Sequence, residues 1–403
     1  MKDILLLLKK AKWLVGGNFV FAFSQWVILI FFARMTNQEN LGQYALALAI
    51  VTPIFAVGNL QLRPLYILDV NSEQKYTYTH FYYLRLICAF IALACCLVLG
   101  LFFNVSILVL LLVGLLKFFE SYSDIIYAYY NAHDQTQLIS KSLFLKGTLS
   151  VLAVAGGLYL FDFYTTLILF LIVYLVVWLF IDNLYIQKTQ EIKKMSLDLG
   201  MMKSAIPMGI SLGIVTLQSN IPRLFLDQYA SIEAVGIFTV LSYFIIVGSI
   251  FINSICQYLS PRLTHAWNHN RAYFKKLLSM ALLIAGGLGL IAIFLSYFMG
   301  EFVLNLVYGA EYVAYTDAFV LTMVAGFILY LATVLGYTLT AIGFIKQQVY
   351  LFSIVLIFSV LVSYLCIPEY GIIGGIYTLM VSYLVQCVLS LLVVFFRLKE
   401  QIK

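Results

Sequence analysis

Apolar runs of about twenty residues recur from one end of this sequence to the other. Each is long enough to cross a hydrocarbon layer of about 30 Å at 1.5 Å per residue. With 63% of its 403 residues hydrophobic and only 10% charged, the chain has too little polar surface to fold as a water-soluble globule. The runs are continuous rather than alternating, which points to helices and not to barrel strands. The chain is therefore expected to be an all-α integral membrane protein. Its first run, 16–32, follows a basic segment but is too long for a signal-peptide core and lacks a small-residue cleavage site, so it is read as retained.

Hydropathy places about twelve spans at 13–33, 42–62, 81–103, 105–130, 142–160, 164–185, 204–226, 234–258, 277–299, 316–342, 348–366 and 372–395. An even number puts both termini on one side. With that side cytoplasmic, nearly all lysines and arginines fall on inner segments, Arg63, Lys75, Arg85, Lys141, Lys146, Lys203 and Arg262 among them, and only Arg34 is left outside. The outer loops carry Glu39, Asp162, Asp227, Glu233, Glu301, Glu311, Asp317 and Glu369 instead. The polar stretch 187–203, predicted to be an interfacial amphipathic helix, divides the chain into an N-terminal lobe at 1–186 and a C-terminal lobe at 204–403. The connections at 62–80, 259–276 and 300–315 are too short for folded extramembrane domains, so function is expected among the helices.

Polar groups inside the spans are costly unless they face protein or water. Lys117, Glu120 and Asp124 share one helical face, with Lys117 near mid-membrane. They either line a wet cavity, with Lys117 meeting an anionic cargo and Glu120 or Asp124 binding H⁺ or Na⁺, or Lys117 and Glu120 neutralise each other as a structural pair. Arg223, Arg34 and Arg63 lie nearer span ends. Each could snorkel to the interface or grip a phosphate, for which a guanidinium fork suits diphosphate geometry. Asn18, Gln25, Gln218 and Asn220 could hydrogen-bond sugar hydroxyls or hold the first and seventh spans together. In the seventh span Pro207 and Pro222 each remove a helical donor, and Gly209 and Gly213 allow close helix approach, so these four are the candidate hinge.

Other residue classes are less informative. The six cysteines have no metal-ligand spacing and read as packing residues, and His80, His133, His265 and His269 read as solvated and not as a metal cluster. Tyr122, Tyr127, Tyr129 and Tyr130 are possible platforms for sugar rings. The net charge of +6 is scattered through short loops, as topology requires, and gives no nucleic-acid surface.

An internal repeat supports the division into halves. Glu39, Gly42 and Tyr44 recur at a constant shift as Glu233, Gly236 and Phe238, and Gly16, Asn18 and Gln25 align with Gly209, Ser211 and Gln218. Equal orientation of the halves makes this a parallel repeat. The opening motif, 16–34 followed by Glu39, Gly42, Tyr44 and Pro53, resembles that of bacterial oligosaccharide flippases of the O-antigen and capsule (Wzx) type. Pro207, Arg223, Gly236 with Phe238, Ser260-Pro261-Arg262, Tyr308-Gly309 before Tyr312, Ala341 with Gly343, and Tyr370-Gly371 before Gly374-Gly375 follow in that family's order. Together they resemble the polysaccharide branch of the multidrug/oligosaccharidyl-lipid/polysaccharide (MOP) exporter superfamily. In one place the chain departs from the pattern: Pro222 stands where the family often has an acidic residue before the arginine.

The resemblance implies two six-helix lobes around a central cavity in the bacterial cytoplasmic membrane. It implies alternating access, no cofactor, and an undecaprenyl-diphosphate-linked oligosaccharide as cargo for O-antigen, capsule or a similar polymer. Glycosyltransferases and a polymerase would be the biosynthetic partners. The alternatives are a drug or cation antiporter of the same superfamily, in which carboxylates would dominate the cavity, and a membrane polymerase or transferase. The latter is disfavoured by the lack of a large outer loop and of DxD or HxxxxD motifs.

Overall fold

The computed structural model describes residues 2–72, 75–183, 199–344 and 347–400. The described chain is helical: α1 Lys2–Met35, α2 Gln38–Gly58, α3 Leu62–Asn71, α4 Tyr78–Gly100, α5 Ile107–Ala132, α6 Thr136–Leu160, α7 Phe163–Val177, α8 Leu199–Tyr229, α9 Ile232–His269, α10 Arg271–Val307, α11 Thr316–Ala341, α12 Gln348–Tyr370 and α13 Ile372–Glu400. A π-helical turn, Trp178–Asn183, extends α7, and a 3₁₀ turn, Ala310–Tyr315, precedes α11. Eleven segments among the described residues are long and apolar enough to cross a membrane. Helix α5 is long enough at 26 residues but carries Lys117, Glu120 and Asp124. The protein is a multi-pass membrane protein.

Helix starts are set by local chemistry. Asn37 caps α2 by accepting the Asn40 amide at 2.8 Å, and Ser231 caps α9 by accepting the Ala234 amide at 3.2 Å. Each cap is followed two residues on by a glutamate, Glu39 or Glu233, in the first turn, where negative charge meets the positive helix end. The repeated motif is thus a helix-start device. Its second part, Gly42 with Tyr44 and Gly236 with Phe238, is buried. Asp162 caps α7 and Asn270 caps α10 in the same way.

The chain divides into two compact units, 1–216 and 217–403. In the first, α1 pairs with α6, and α5 is the hub that touches α2, α3, α4, α6 and α7. In the second, α11 is the hub, packed on α9, α10 and α13, and α12 pairs with α13. Both hubs are the fourth long helix of their half, so the pairing order repeats along with the sequence motif. Of the expected linker, residues 187–198 lie outside the described residues, and Leu199 to Lys203 already belong to α8.

Several expected boundaries move. The span expected at 42–62 is two helices, α2 and α3, joined by an elbow at 59–61. The connection expected at 259–276 is almost entirely helical, because α9 and α10 run on as 38 and 37 residues and meet at Asn270. A hydropathy window registers the apolar slab and not the helix end, since a helix continues through polar residues wherever water can solvate them. Arg85 and Lys146, expected on inner segments, are buried within α4 and α6, at 0% and 1% exposure. Those helices begin at Tyr78 and Thr136, earlier than the spans drawn from hydropathy.

Lys146 is tolerated there because its charge is fully met. Its Nζ donates to Asp182 Oδ2 at 2.7 Å and to Tyr127 OH at 3.0 Å, and Ser123 Oγ donates to the same carboxylate oxygen at 2.7 Å. The pair ties α5, α6 and the π turn together, and Asp182 is buried within that turn. Breaking such a pair strands a buried charge, whereas replacing both partners by apolar groups removes the desolvation cost as well. Lys146→Met alone is expected to cost about 3–5 kcal/mol. The double variant Lys146→Met with Asp182→Leu should recover most of that, as read by thermal unfolding in detergent.

Candidate functional site

The site centres on the elbow between α2 and α3. A helix running straight on from α2 would set the ring of Pro64 against the Leu60 carbonyl four residues back, a strain that α2 accommodates at Pro53 and α8 at Pro207 and Pro222, but here the helix ends at Gly58. The chain instead turns through Leu60 and Gln61, both in the left-handed region with φ 50°. Neither is glycine, and this conformation costs each of them about 1–2 kcal/mol. The surroundings hold the turn in place, with Leu60 and Leu62 buried in the aromatic core formed by Tyr66, Tyr78, Phe81 and Tyr122.

Three charged side chains and two polar ones converge beside this elbow. Asp124 on α5 is shared by two guanidiniums: Arg63 Nη1 on α3 donates to Oδ1 at 3.2 Å, and Arg85 Nη2 on α4 donates to Oδ2 at 2.9 Å. Arg85 also donates to Asn59 Oδ1, which accepts a second bond from Ser121 Oγ. The two arginines differ in freedom. Arg85 is sealed at 0% exposure, whereas Arg63 is 26% exposed and leans over the Tyr127 ring at 5.9 Å. Arg85 Nε is buried and has no acceptor among the described residues, so the cluster has donor capacity to spare. One turn away on α5, Lys117 and Glu120 form their own pair at 2.7 Å, both partly exposed. Together with the buried pair, Arg63, Arg85, Lys117 and Lys146 face Asp124, Glu120 and Asp182, a surplus of one positive charge.

Helix α8 packs directly on the elbow. A Cβ on Gly209 would lie 2.6 Å from the Val57 carbonyl oxygen and 3.0 Å from Leu60 Cα, and one on Gly213 would meet Val57 Cγ2 at 2.2 Å. The two small residues are the seat for the α2 C-terminus. The helix itself runs unbroken through Pro207 and Pro222.

In the second unit, Arg223 is tied to α9. Its Nε donates to Thr239 Oγ1 at 2.8 Å, Nη2 to Ser242 Oγ at 3.0 Å and Nη1 to Asn220 Oδ1 at 2.8 Å, with the guanidinium over the Phe238 ring. Its hydrogen-bond partners among the described residues are all neutral.

No protein-family model matches the chain. It is 27% identical over 393 residues to the capsular polysaccharide biosynthesis protein CapF of Staphylococcus aureus, covering 95% of this chain and 98% of that protein. Among solved structures it superposes on an inward-facing multidrug resistance MATE family transporter of the MOP superfamily with a TM-score of 0.68 at 14% identity, over 96% of this chain and 94% of that one. It superposes on the lipid II flippase MurJ, in an inward closed conformation, with a TM-score of 0.74 at 14% identity, over 94% and 86% of the two chains. The fold is that of the MOP transporters.

On this MOP fold the sequence candidates separate. Arg63, Asp124, Lys117 and Glu120 are neighbours, as are Arg223 and Asn220, whereas Arg34 and Asn18 are exposed on α1. Gln25 has a partner within the first unit. It donates to Tyr174 OH on α7 at 3.4 Å, because α1 lies with α6 and α7 in the first bundle. Gln218 is buried, and its carbonyl accepts from Ser359 Oγ. Tyr122, Tyr127, Tyr129 and Tyr130 are core residues with exposures of 6% or less, and offer no open face for sugars. Sequence reasoning missed Arg85, Asn59, Lys146 and Asp182. Pro64 was the available signal for the elbow, and an arginine seven residues into a helix was the signal for Arg85.

The glycine seat has a direct consequence. Gly209→Ala must push α8 off a backbone carbonyl that cannot rotate away, an overpacking cost of about 1–3 kcal/mol. Gly156→Ala, with nothing within 4 Å of the new methyl, should gain helix propensity at no packing cost. Thermal melts in detergent should show the first variant lowered by several degrees and the second unchanged or raised.

Proposed function

We propose that this protein is a flippase that moves an undecaprenyl-diphosphate-linked oligosaccharide from the inner to the outer leaflet of the bacterial cytoplasmic membrane by alternating access, for surface polysaccharide synthesis. The observation that carries this reading is the shared carboxylate, because two guanidiniums on one Asp124 leave a net positive charge inside a membrane helix bundle. Such a charge is expensive in hydrocarbon and is retained where an anion visits. The neutral surroundings of Arg223 point the same way. The likeness to a capsular polysaccharide biosynthesis protein and to a lipid II flippase fold supports a lipid-linked sugar as cargo.

The physical task is to shield a diphosphate and its sugars from hydrocarbon while the isoprenoid tail stays in lipid. Guanidiniums supply the bidentate geometry that phosphate oxygens accept. With the termini cytoplasmic, outward movement of the diphosphate follows the membrane potential by about 2.3 kcal/mol per charge per 100 mV, so no coupled ion is required. A cation antiporter would place carboxylates free of cationic partners in its path, yet Glu120, Asp124 and Asp182 are each already paired.

Proteoliposomes carrying undecaprenyl-diphosphate-linked oligosaccharide test this by headgroup accessibility. The expected result is protein-dependent translocation that quickens with an interior-negative potential and falls about tenfold or more in Arg63→Gln and in Arg223→Gln, the loss of one charge-assisted contact each. Absence of headgroup movement, together with gradient-driven export of a cationic dye, would transfer the assignment to the antiporter.

A further inference from the structure

We propose that Asp124 is a resident counter-anion: in the empty site its Oδ1 holds the position on Arg63 that a phosphate oxygen of the cargo takes over, and Arg85 keeps the displaced carboxylate paired. This deepens the flippase reading and rests on it. Three features of the cluster support the exchange. First, the carboxylate is divided, one oxygen to each arginine, so losing Arg63 leaves Oδ2 on Arg85 at 2.9 Å and strands no charge. Second, the two arginines are unequal: Arg85 is sealed and tied to Asn59, whereas Arg63 is partly exposed, holds a single hydrogen bond at 3.2 Å and has only an aromatic face besides. Third, Arg63 stands on α3 immediately after the Leu60–Gln61 turn, whose left-handed conformation is fixed by burial, so its Cα is held in place while its head can move.

The charge count closes on exchange. Arg63 and Arg85 against Asp124 leave one positive charge, and one phosphate monoanion cancels it. Competition by the carboxylate weakens the resting grip on the anion and, by recapturing Arg63, speeds release. Arg85 is a positioning residue here, acting through Asp124 and not on the cargo.

The test uses the full-length protein in nanodiscs, with farnesyl diphosphate as probe and farnesol as the uncharged control. Removing the competitor in Asp124→Asn is expected to tighten farnesyl diphosphate binding about tenfold and slow its dissociation, while translocation turnover falls. Arg63→Gln should lose binding about tenfold, and Arg63→Gln with Asp124→Asn should bind no better than Arg63→Gln alone. On wild-type protein, difference infrared spectra should show a carboxylate band shifting on farnesyl diphosphate addition and not on farnesol, with no shift in Arg63→Gln, a readout that stands even where Asp124→Asn does not assemble. Equal or weaker binding by a folded Asp124→Asn protein, or an unmoved carboxylate band under saturating probe, would overturn the exchange and leave the flippase reading intact. Equal binding of farnesol and farnesyl diphosphate to the wild type would overturn the flippase reading itself.

Discussion

A charge placed in a helix bundle that lies in lipid has to have its partner built in, and in this protein that requirement organises the N-terminal unit. The hub helix α5 supplies a carboxylate to α3 and α4 through Asp124, a hydroxyl and two phenols around Lys146 and Asp182 through Ser123, Tyr127 and Tyr130, and its own internal pair through Lys117 and Glu120. An apolar hub would pack as well, but it could not accept cations from its neighbours. The hub therefore carries Lys117, Glu120 and Asp124 within an otherwise apolar helix because of its position. Its central place also explains why its tyrosines are buried, for a helix touched by five others has little surface left.

The same unit shows how backbone and charge constrain one another. Pro64 disfavours a straight second span, and the chain turns instead through two residues in a conformation that neither favours. That turn persists because Leu60 and Leu62 are locked in the core and because Asn59 accepts from Arg85 and Ser121. Gly209 and Gly213 complete the enclosure by letting α8 come down on the elbow backbone. In the structure these two glycines are the seat on which the end of α2 and the elbow pack.

Sequence reasoning read the long-range periodicities well and the short-range exceptions poorly. Membrane helices, their number and the repeat were legible because an apolar run of about twenty residues has few alternative fates, and the Glu39 and Glu233 motifs mark true helix starts. Arg85 and Lys146 were misplaced because a cation near a span end looks the same in sequence whether it faces water or a partner several helices away. Asp182 escaped notice since it is buried within a π turn that no hydropathy pattern records. The pairing of Asp124 with Arg63 and Arg85 joins residues 61 and 39 positions apart, a relation fixed only by how α3, α4 and α5 pack.

A transport site has to hold its cargo on one side and let go on the other, so full neutralisation and full exposure of the cations both fail. Arginines with no counter-ion would resist burial and grip a diphosphate too long. Arginines fully paired in the manner of Lys146 and Asp182 would have nothing to offer an anion. In the exchange proposed above, sharing one carboxylate between two guanidiniums would give an intermediate state, in which the bundle folds without the cargo and one arginine stays available to it. The difference in burial between Arg63 and Arg85 would then decide which of the two exchanges. Arg85 is held by both Asn59 of the elbow and Asp124 of α5, whereas Arg63 would exchange its partner at the cost of one hydrogen bond.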